Sequence, residues 1–279
     1  MIQTIGLTHG HYECRSLDQT LPIFTDLLAA EIVERKEGQA IVKHPNTDWL
    51  LVIHEGGPNA PEKPHENHYG FRVADHKEID AAFAYIKAHQ EKYGITSITP
   101  PHAAHFAYSV YFVEPGGNYL EIEYYNPKGA DQGKSFAAPH WRTPLTADRF
   151  PGRGYLPQAM SHGTMQCDDE VASRRFYTEV LGLEIVGGGK TSTYIRHPST
   201  PWYIVVLPGR KREYLRPVNR YTLKVASPGA VAQAHREFAA NGKKIGITEL
   251  RNIEEQNGQL SFIFSDLDKN WWEISSDVS

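Results

Sequence analysis

The sequence contains the same module twice, and this duplication constrains the possible fold more than any other feature. Residues of the first copy recur 153 positions later near its start and 152 positions later near its end, so a one-residue gap aligns the copies. A duplicated module of roughly 125 residues has an ordinary domain size. The matched positions are His9-Gly10 with His162-Gly163, Cys14 with Cys167, His44 with His197, Trp49 with Trp202, Asn67 with Asn219, Asn118 with Asn270, and Glu121 with Glu273.

Each copy has the pattern of an α+β fold in which a strand, a helix and three strands occur twice. The apolar residues of 77–93 fall on one helical face, which predicts a helix there. Gly182 is placed to end the first helix of the second copy, and Pro22 predicts that the equivalent helix of the first copy begins late, with proline in its first turn. The strands predicted for the first copy are 5–14, 32–35, 39–43, 49–54, 67–73, 95–98, 107–113 and 118–125.

A proline-rich segment without periodicity joins the two copies. The predicted domains are a first module over 1–127, a linker or lid over 128–158, and a second module over 159–279. The joining segment exceeds an ordinary connection in length. The sequence leaves two roles open for this segment, a lid and an inert spacer.

Composition excludes several functional classes. A net charge of −4, a pI near 6.4 and the lack of a basic stripe give no reason to expect nucleic-acid binding. No segment approaches the length of a membrane span, and the N-terminus lacks the pattern of a secretory signal. Two cysteines are too few for a disulfide framework, so we expect a cytoplasmic protein. Assembly into a homo-oligomer is possible.

A turn followed by a strand with acidic residues ends each copy. In the first copy the turn runs from Glu114 to Asn118, and Glu121 and Glu123 follow on one face of the strand. The second copy has an equivalent acidic turn and Glu273. Because both copies share the turn and the first Glu, these features alone indicate a common fold and do not distinguish a functional copy.

The helix motif from Arg174 to Leu183, His9 in the opening strand and the Glu-bearing final strands together resemble the vicinal oxygen chelate superfamily. That superfamily includes glyoxalase I, the extradiol ring-cleavage dioxygenases and the bleomycin and fosfomycin resistance proteins. The resemblance covers both modules, and it is greatest to the two-module extradiol dioxygenases. It implies curved, open, barrel-like sheets, each built from two βαβββ units around a cavity that holds a metal.

The resemblance also implies a ligand set, because the family takes its metal ligands from the first, fifth and eighth strands. In the first module these are His9, His68 and Glu121, the set that we predict. Some members exchange half-modules, so His162 could replace His9. His11 shares a face with His9 and becomes a ligand if the register shifts by two.

The second module departs from this ligand pattern. Arg220 stands where His68 stands in the first module, and a guanidinium has no lone pair to offer a metal. Arg220 is therefore expected to pair with Glu273 and to fill the metal position, since an unpaired buried carboxylate is costly. Ile263 and Glu254 stand in place of Tyr111 and His102.

Residues before Glu121 also resemble the extradiol dioxygenase pattern, in which a His and a Tyr precede an acidic turn. His102 and Tyr111 occupy these positions. Pro100 departs from the pattern, so His105 competes with His102. Tyr111 is expected to donate a hydrogen bond to a metal-bound substrate oxygen. His102, His105 or His54 is expected to act as the acid/base, since a histidine titrates near neutrality.

Two imidazoles and one carboxylate form the facial triad that non-haem Fe(II) oxygenases use. The predicted function is therefore an Fe(II)-dependent extradiol-type dioxygenase, with Mn(II) or another divalent metal as an alternative, acting on a catechol-like aromatic substrate and O2. One alternative is a redox-neutral lyase, isomerase or epimerase like glyoxalase I. Another is a non-catalytic small-molecule binder of the bleomycin resistance type.

Overall fold

The computed structural model describes residues 2–104, 107–125, 143–188, 192–209 and 214–278. The chain divides into two compact units. We call Tyr12–Thr164 the N-terminal unit, and Met1–His11 with Met165–Ser279 the C-terminal unit. This division differs from the predicted modules, because the start of the chain joins the C-terminal unit and residues up to 164 join the N-terminal one. No helix in the described ranges is long and apolar enough to cross a membrane.

The order of elements follows the predicted repeat, with one short additional strand in each copy, β7 or β16. The first copy contains β1 (Thr4–Cys14), α1 (Leu17–Leu27), β2 (Glu31–Lys36), β3 (Gln39–Lys43), β4 (Leu50–Glu55), β5 (Tyr69–Arg72), α2 (Lys77–Ala88), β6 (Ser97–Ile98), β7 (His102–Ala104), β8 (Ala107–Val113) and β9 (Tyr119–Tyr125). The second contains β10 (Ala159–Cys167), α3 (Glu170–Arg175), a π-helical turn (Phe176–Val180), β11 (Glu184–Gly188), β12 (Thr193–Arg196), β13 (Tyr203–Pro208), β14 (Arg220–Val225), α4 (Pro228–Ile245), β15 (Glu249–Leu250), β16 (Glu254–Gln256), β17 (Gln259–Ser265) and β18 (Trp271–Asp277).

Local sequence accounts for two of the helix ends. Gly182 has a φ of +71° just past the π-helical turn, as its position predicts. Ser227 caps α4 by accepting a hydrogen bond from the backbone of Ala230. The late start predicted for α1 is wrong, because α1 begins at Leu17 and Pro22 lies inside it. The N–H of Leu17 donates instead to the Glu55 carboxylate at 2.9 Å, which satisfies one donor of the first turn.

The main sheet of the N-terminal unit has the strand order β10-β5-β9-β8-β6, with β7 paired to β8. The strands β5 and β9 are parallel, whereas β10 and β8 run antiparallel to their neighbours. An apolar row across the strands contains Val110, Ile122 and Phe71, which are all fully buried. Because side chains alternate across a strand, the residues on either side of this row face the opposite surface of the sheet.

In the C-terminal unit, the corresponding sheet has the order β15-β17-β18-β14-β1, with β16 paired to β17. The strands β14 and β18 are parallel, with Thr222 beside Glu273. The strand β1 is antiparallel to β14, with His9 beside Thr222. Each unit therefore places the opening strand of one sequence copy beside the fifth strand of the other copy.

The repeated His-Pro turns hold these opening strands. In the N-terminal unit, the Nε2 atom of His44 lies 3.0 Å from the Pro157 carbonyl. Thr47 exchanges two hydrogen bonds with the backbone of Met160 in β10. In the C-terminal unit, the Nε2 atom of His197 lies 3.2 Å from the Thr4 carbonyl at the start of β1. We refer to these two turns as the clasp turns. His44 and His197 thus have the structural role that their repetition indicates.

The described part of the predicted linker packs on the N-terminal unit. Tyr155 donates to the Leu27 carbonyl at 3.1 Å, and the Leu156 N–H donates to the Glu78 carboxylate at 2.9 Å. The Gln158 N–H donates to the Arg72 carbonyl at 2.7 Å. Residues 143–158 therefore lead directly into β10, whereas 126–142 lie outside the described residues.

Candidate metal centre

Three potential metal ligands converge in the N-terminal unit. We call His68, Glu121 and His162 the first cluster. Their relative exposures are 4%, 3% and 3%. The Nε2 atoms of His68 and His162 lie 3.1 and 3.0 Å from the same carboxylate oxygen, Oε2 of Glu121. The two imidazoles therefore approach one oxygen from different strands.

The strand register creates this convergence. Glu121 on β9 lies beside Gly70 on β5, and Gly70 lies beside His162 on β10. Residue 70 must be small, because a Cβ atom there would overlap the ring of His162. Gly70 thus opens the space through which the imidazole reaches Glu121.

The hydrogen bond of His68 fixes its tautomer. Its Nδ1 atom lies 2.6 Å from the backbone carbonyl of His65, and a carbonyl can only accept. Nδ1 therefore carries a proton, and the Nε2 atom of a neutral His68 directs its lone pair at Glu121. A cation bound between these two groups would stabilise a lone pair that faces a carboxylate oxygen.

Glu123 holds the other side of His162. The Oε1 atom of Glu123 is 3.3 Å from His162 Nδ1, 2.7 Å from the Ser161 hydroxyl and 2.6 Å from the guanidinium of Arg72. Burial opposes its ionisation, but Arg72 and His162 lower the pKa of Glu123 to about 2. A carboxylate that holds the distal nitrogen of a ligand histidine orients the ring and raises its basicity.

The charges of neighbouring side chains outweigh burial in setting the pKa values of His162 and Glu121. Burial alone would lower the pKa of His162, but the carboxylates of Glu123 and Glu121 raise it to about 9. Burial also opposes the ionisation of Glu121, yet His162 and His68 hold its pKa well below the usual value. With neutral imidazoles, Glu121, Glu123 and Arg72 sum to one negative charge. Two imidazoles, a carboxylate and a net negative charge fit a divalent transition metal.

The structure groups the predicted ligands differently from the set His9, His68 and Glu121. His162 joins His68 and Glu121, as half-module exchange allows. The physical reason is the strand exchange, which puts β10 beside β5 and β1 beside β14. His9 lies in the C-terminal unit with His11 and Glu273, and we call these three residues the second cluster.

Arg220 pairs with the carboxylate of the second cluster. Its Nε atom donates to Glu273 Oε2 at 3.0 Å. This is the ion pair expected from the sequence. Burial lowers the pKa of His9 to about 4, although Glu273 opposes this, and burial and Arg220 hold the pKa of His11 well below its usual value.

Tyr111 lies beside the first cluster. It is opposite Glu121 in the β8–β9 register, and its ring centroid is 5.3 Å from that of His68. Burial and the Glu121 carboxylate raise the pKa of Tyr111, so its hydroxyl stays protonated and can donate. His102 is exposed, and its ring stacks on Tyr111 with centroids 5.6 Å apart.

The other two predicted acid/base residues are His54 and His105. His54 is on β4, opposite Gln39, in a different sheet from the first cluster. His105 lies outside the described residues. His54 is thus not brought to Tyr111, whereas His102 is.

His65 contacts the site but carried no signal in the sequence. Its ring centroid is 4.6 Å from that of Tyr111 and 5.2 Å from that of Tyr119. Burial and His68 lower the pKa of His65. It precedes β5 in an aperiodic loop, so neither strand alternation nor the repeat singled it out.

Comparisons with known proteins agree with this fold. Residues 7–122 match the model of the Glyoxalase/Bleomycin resistance protein/Dioxygenase superfamily. A catechol-2,3-dioxygenase from Bacillus subtilis is 25% identical over 194 residues, which are 62% of this chain. The match spans 63% of that relative, less than two thirds of its length.

Solved structures show the same architecture over nearly the whole chain. Glyoxalase I from Zea mays has a TM-score of 0.66 at 13% identity, and the match covers 98% of this chain and 92% of that one. A candidate dioxygenase from Bacillus subtilis has a TM-score of 0.65 at 13% identity, with 100% and 87% covered. The predicted α+β fold with two repeated modules is therefore confirmed. The family-model match over residues 7–122 confirms the predicted resemblance to this superfamily.

Proposed function

We propose that this chain, with its resemblance to the glyoxalase, bleomycin resistance and dioxygenase superfamily, is an Fe(II)-dependent extradiol-type dioxygenase that opens a catechol-like ring. The observation that carries the proposal is the buried first cluster with Tyr111 beside it. In the proposed reaction, the ring carbon–carbon bond next to a hydroxyl-bearing carbon breaks and the product contains both atoms of O2.

The first cluster would hold the metal through His68, Glu121 and His162. A bound Fe(II) ion would supply the redox chemistry and the open coordination positions that two vicinal oxygens and O2 require. Glu121 and the Glu123–Arg72 pair leave one negative charge, which only partly offsets a divalent cation. The site therefore favours an anionic substrate such as a catecholate.

Tyr111 would position the substrate. Its raised pKa keeps the hydroxyl protonated, so it can donate a hydrogen bond to a substrate oxygen near Glu121. The half-buried His65 and the exposed His102 both contact the Tyr111 ring. Either histidine could exchange a proton with substrate there. Of the three acid/base candidates that the sequence left open, His102 is the one that contacts Tyr111.

The test is anaerobic loading with Fe(II), followed by measurement of O2 uptake with a panel of catechols. We expect stoichiometric O2 consumption with at least one catechol. The His68→Ala variant should lose iron and activity, whereas Tyr111→Phe should keep iron and lose most of kcat. Iron-loaded protein that consumes no O2 with any catechol would sink the proposal.

The rival function is a redox-neutral lyase or isomerase, because the three ligands alone also suit Mn(II), Ni(II), Co(II) or Zn(II). Loading the same protein with Zn(II) separates the two. Zinc cannot activate O2, so turnover of an α-hydroxycarbonyl substrate by the zinc form would favour the rival. Loss of all activity on replacing iron by zinc would favour the dioxygenase.

A further inference from the structure

The second cluster has the composition of a metal site in its own right. We propose that His9, His11 and Glu273 bind a second divalent cation, more weakly than the first cluster and separately from the proposed active site. One ligand atom from each residue lies within 4.8 Å of the other two. His11 and Glu273 are buried and His9 is half-buried.

Strand geometry brings the two imidazoles together. His9 and His11 are two positions apart on β1, so they extend from the same face. Their ring centroids are 4.9 Å apart. Two imidazoles in this spacing can chelate one ion without any change of the backbone.

The carboxylate completes the site from a different strand. Glu273 is on β18, and its Oε2 atom lies 3.3 Å from His11 Nε2. The Thr222 hydroxyl also donates to Oε2, at 2.9 Å. The hydroxyl of Thr8 lies 2.9 Å from His9 Nδ1, which leaves the Nε2 atom of His9 to a ligand.

Arg220 sets the affinity of this site. Its guanidinium occupies the side of Glu273 where the first cluster has an imidazole, and it balances the charge of Glu273. The second cluster therefore has no net charge, whereas the first has one negative charge. The Arg220 side chain is 13% exposed, and cation binding in this proposal requires it to leave Glu273 towards solvent.

The ligand set selects the kind of ion. Two imidazoles and one carboxylate suit Zn(II), Ni(II) and Cu(II), whereas Mg(II) and Ca(II) prefer sites made of oxygen atoms. We therefore expect an imidazole-preferring transition metal, and Ni(II) is a convenient probe because it has no affinity for dioxygen.

The test measures Ni(II) binding by calorimetry in a His162→Ala background, which removes a ligand of the first cluster. We expect one ion per chain, with a dissociation constant at least tenfold above that of the tight site in the unsubstituted chain. Adding His9→Ala or His11→Ala should abolish this binding. Circular dichroism checks that each variant is folded. The same binding measurement is repeated in a His68→Ala background, which removes a different ligand of the first cluster.

Arg220→Met separates the role of the guanidinium from that of overall charge. It should tighten Ni(II) binding about tenfold or more, because Glu273 loses a competing cation. The matched control is Lys224→Met on the same strand, whose side chain pairs with Asp277 at 2.6 Å. It removes the same charge without freeing Glu273 and should change the affinity by less than about threefold.

Two results would overturn the proposal. One is the absence of Ni(II) binding in folded His162→Ala and His68→Ala chains. The other is binding that survives the loss of both His9 and His11. Neither depends on turnover, so a failed dioxygenase assay and a failed second metal site are distinguishable outcomes.

Discussion

Replacing His162 by glutamine should change how the stability of the metal-free chain depends on pH. In the native chain the pKa of this imidazole is about 9, whereas an unfolded histidine titrates near 6.5. A group whose pKa is raised by folding stabilises the native state fully below its unfolded pKa. That stability is lost as the pH rises through the folded pKa.

The two pKa values give the magnitude. They differ by about 2.5 units, and each unit corresponds to 1.36 kcal/mol, so the contribution is about 3 kcal/mol at pH 6. It should be almost gone at pH 10. This is a sizeable part of the roughly 5–15 kcal/mol by which native proteins are stable.

The assay is urea unfolding in EDTA from pH 6 to pH 10, and its readout is the difference between wild type and His162→Gln. A difference is needed because other buried groups titrate in this window. Burial lowers the pKa of Lys63 to about 7, and burial with Asp268 raises the pKa of Asp266 to about 7. These contributions are common to both proteins and cancel.

His44→Gln is the matched control. Burial lowers the pKa of His44 to about 4, so this imidazole is neutral in both folded and unfolded chains above pH 7. The difference between wild type and His44→Gln should therefore be flat from pH 7 to pH 10. A flat profile for His162→Gln as well would show that Glu121 and Glu123 do not hold a proton on His162, and the charge argument would fail.

Three further results are expected. Metal binding at pH 7 should release about one proton, because His162 must lose the proton on Nε2; calorimetry in two buffers of different ionisation enthalpy measures it, and zero release contradicts the assignment. Gly70→Ala should weaken metal affinity about 100-fold, because the added Cβ atom displaces the His162 ring; competition with a chelator measures the affinity. Gly229→Ala is the control, because a Cβ atom there meets only ordinary contacts, and it should leave the affinity unchanged. His44→Ala should cost about 1–3 kcal/mol in urea unfolding at pH 8, because the Pro157 carbonyl loses its donor; a smaller loss would show that this clasp turn contributes little to holding β10.

Sequence alone identified the parts of the site that depend on residue type and strand position. His68 and Glu121 lie within two of the predicted strands, 67–73 and 118–125. The Arg220–Glu273 ion pair followed from the chemistry of the guanidinium. The buried face of α2, with Ile79, Ala82 and Ile86, followed from helical periodicity. These features rest on local patterns, which one sequence contains in full.

The choice between His9 and His162 rests on topology. Both residues precede a glycine in an equivalent strand, so no local pattern distinguishes them. The clasp turns at His44 and His197 are also equivalent, and the sequence does not specify which opening strand each turn holds. Only the paired register of β10 with β5 selects His162.

The role of Glu123 needed the same kind of information. Strand alternation places it on the face of Glu121, but its partners come from other strands. Arg72 lies beside it only because β5 and β9 are parallel in this register. Without knowledge of that pairing, the sequence indicates only a polar residue at the end of a sheet for Glu123.

Three residues in or beside the first cluster are replaced at the equivalent positions of the C-terminal unit, each offset by 152 residues, and these three differences act in the same direction. His68 becomes Arg220, Gly70 becomes Thr222 and Glu123 becomes Ser275.

The first change replaces a lone pair by a fixed positive charge. The second puts a side chain where the first cluster needs space for an imidazole, and the third removes the carboxylate that orients that imidazole. Each of these changes weakens metal binding by a different physical route. The ligands that both units share, His162 with Glu121 and His9 with Glu273, therefore determine where a cation can bind, and the three differing residues determine how tightly it is held.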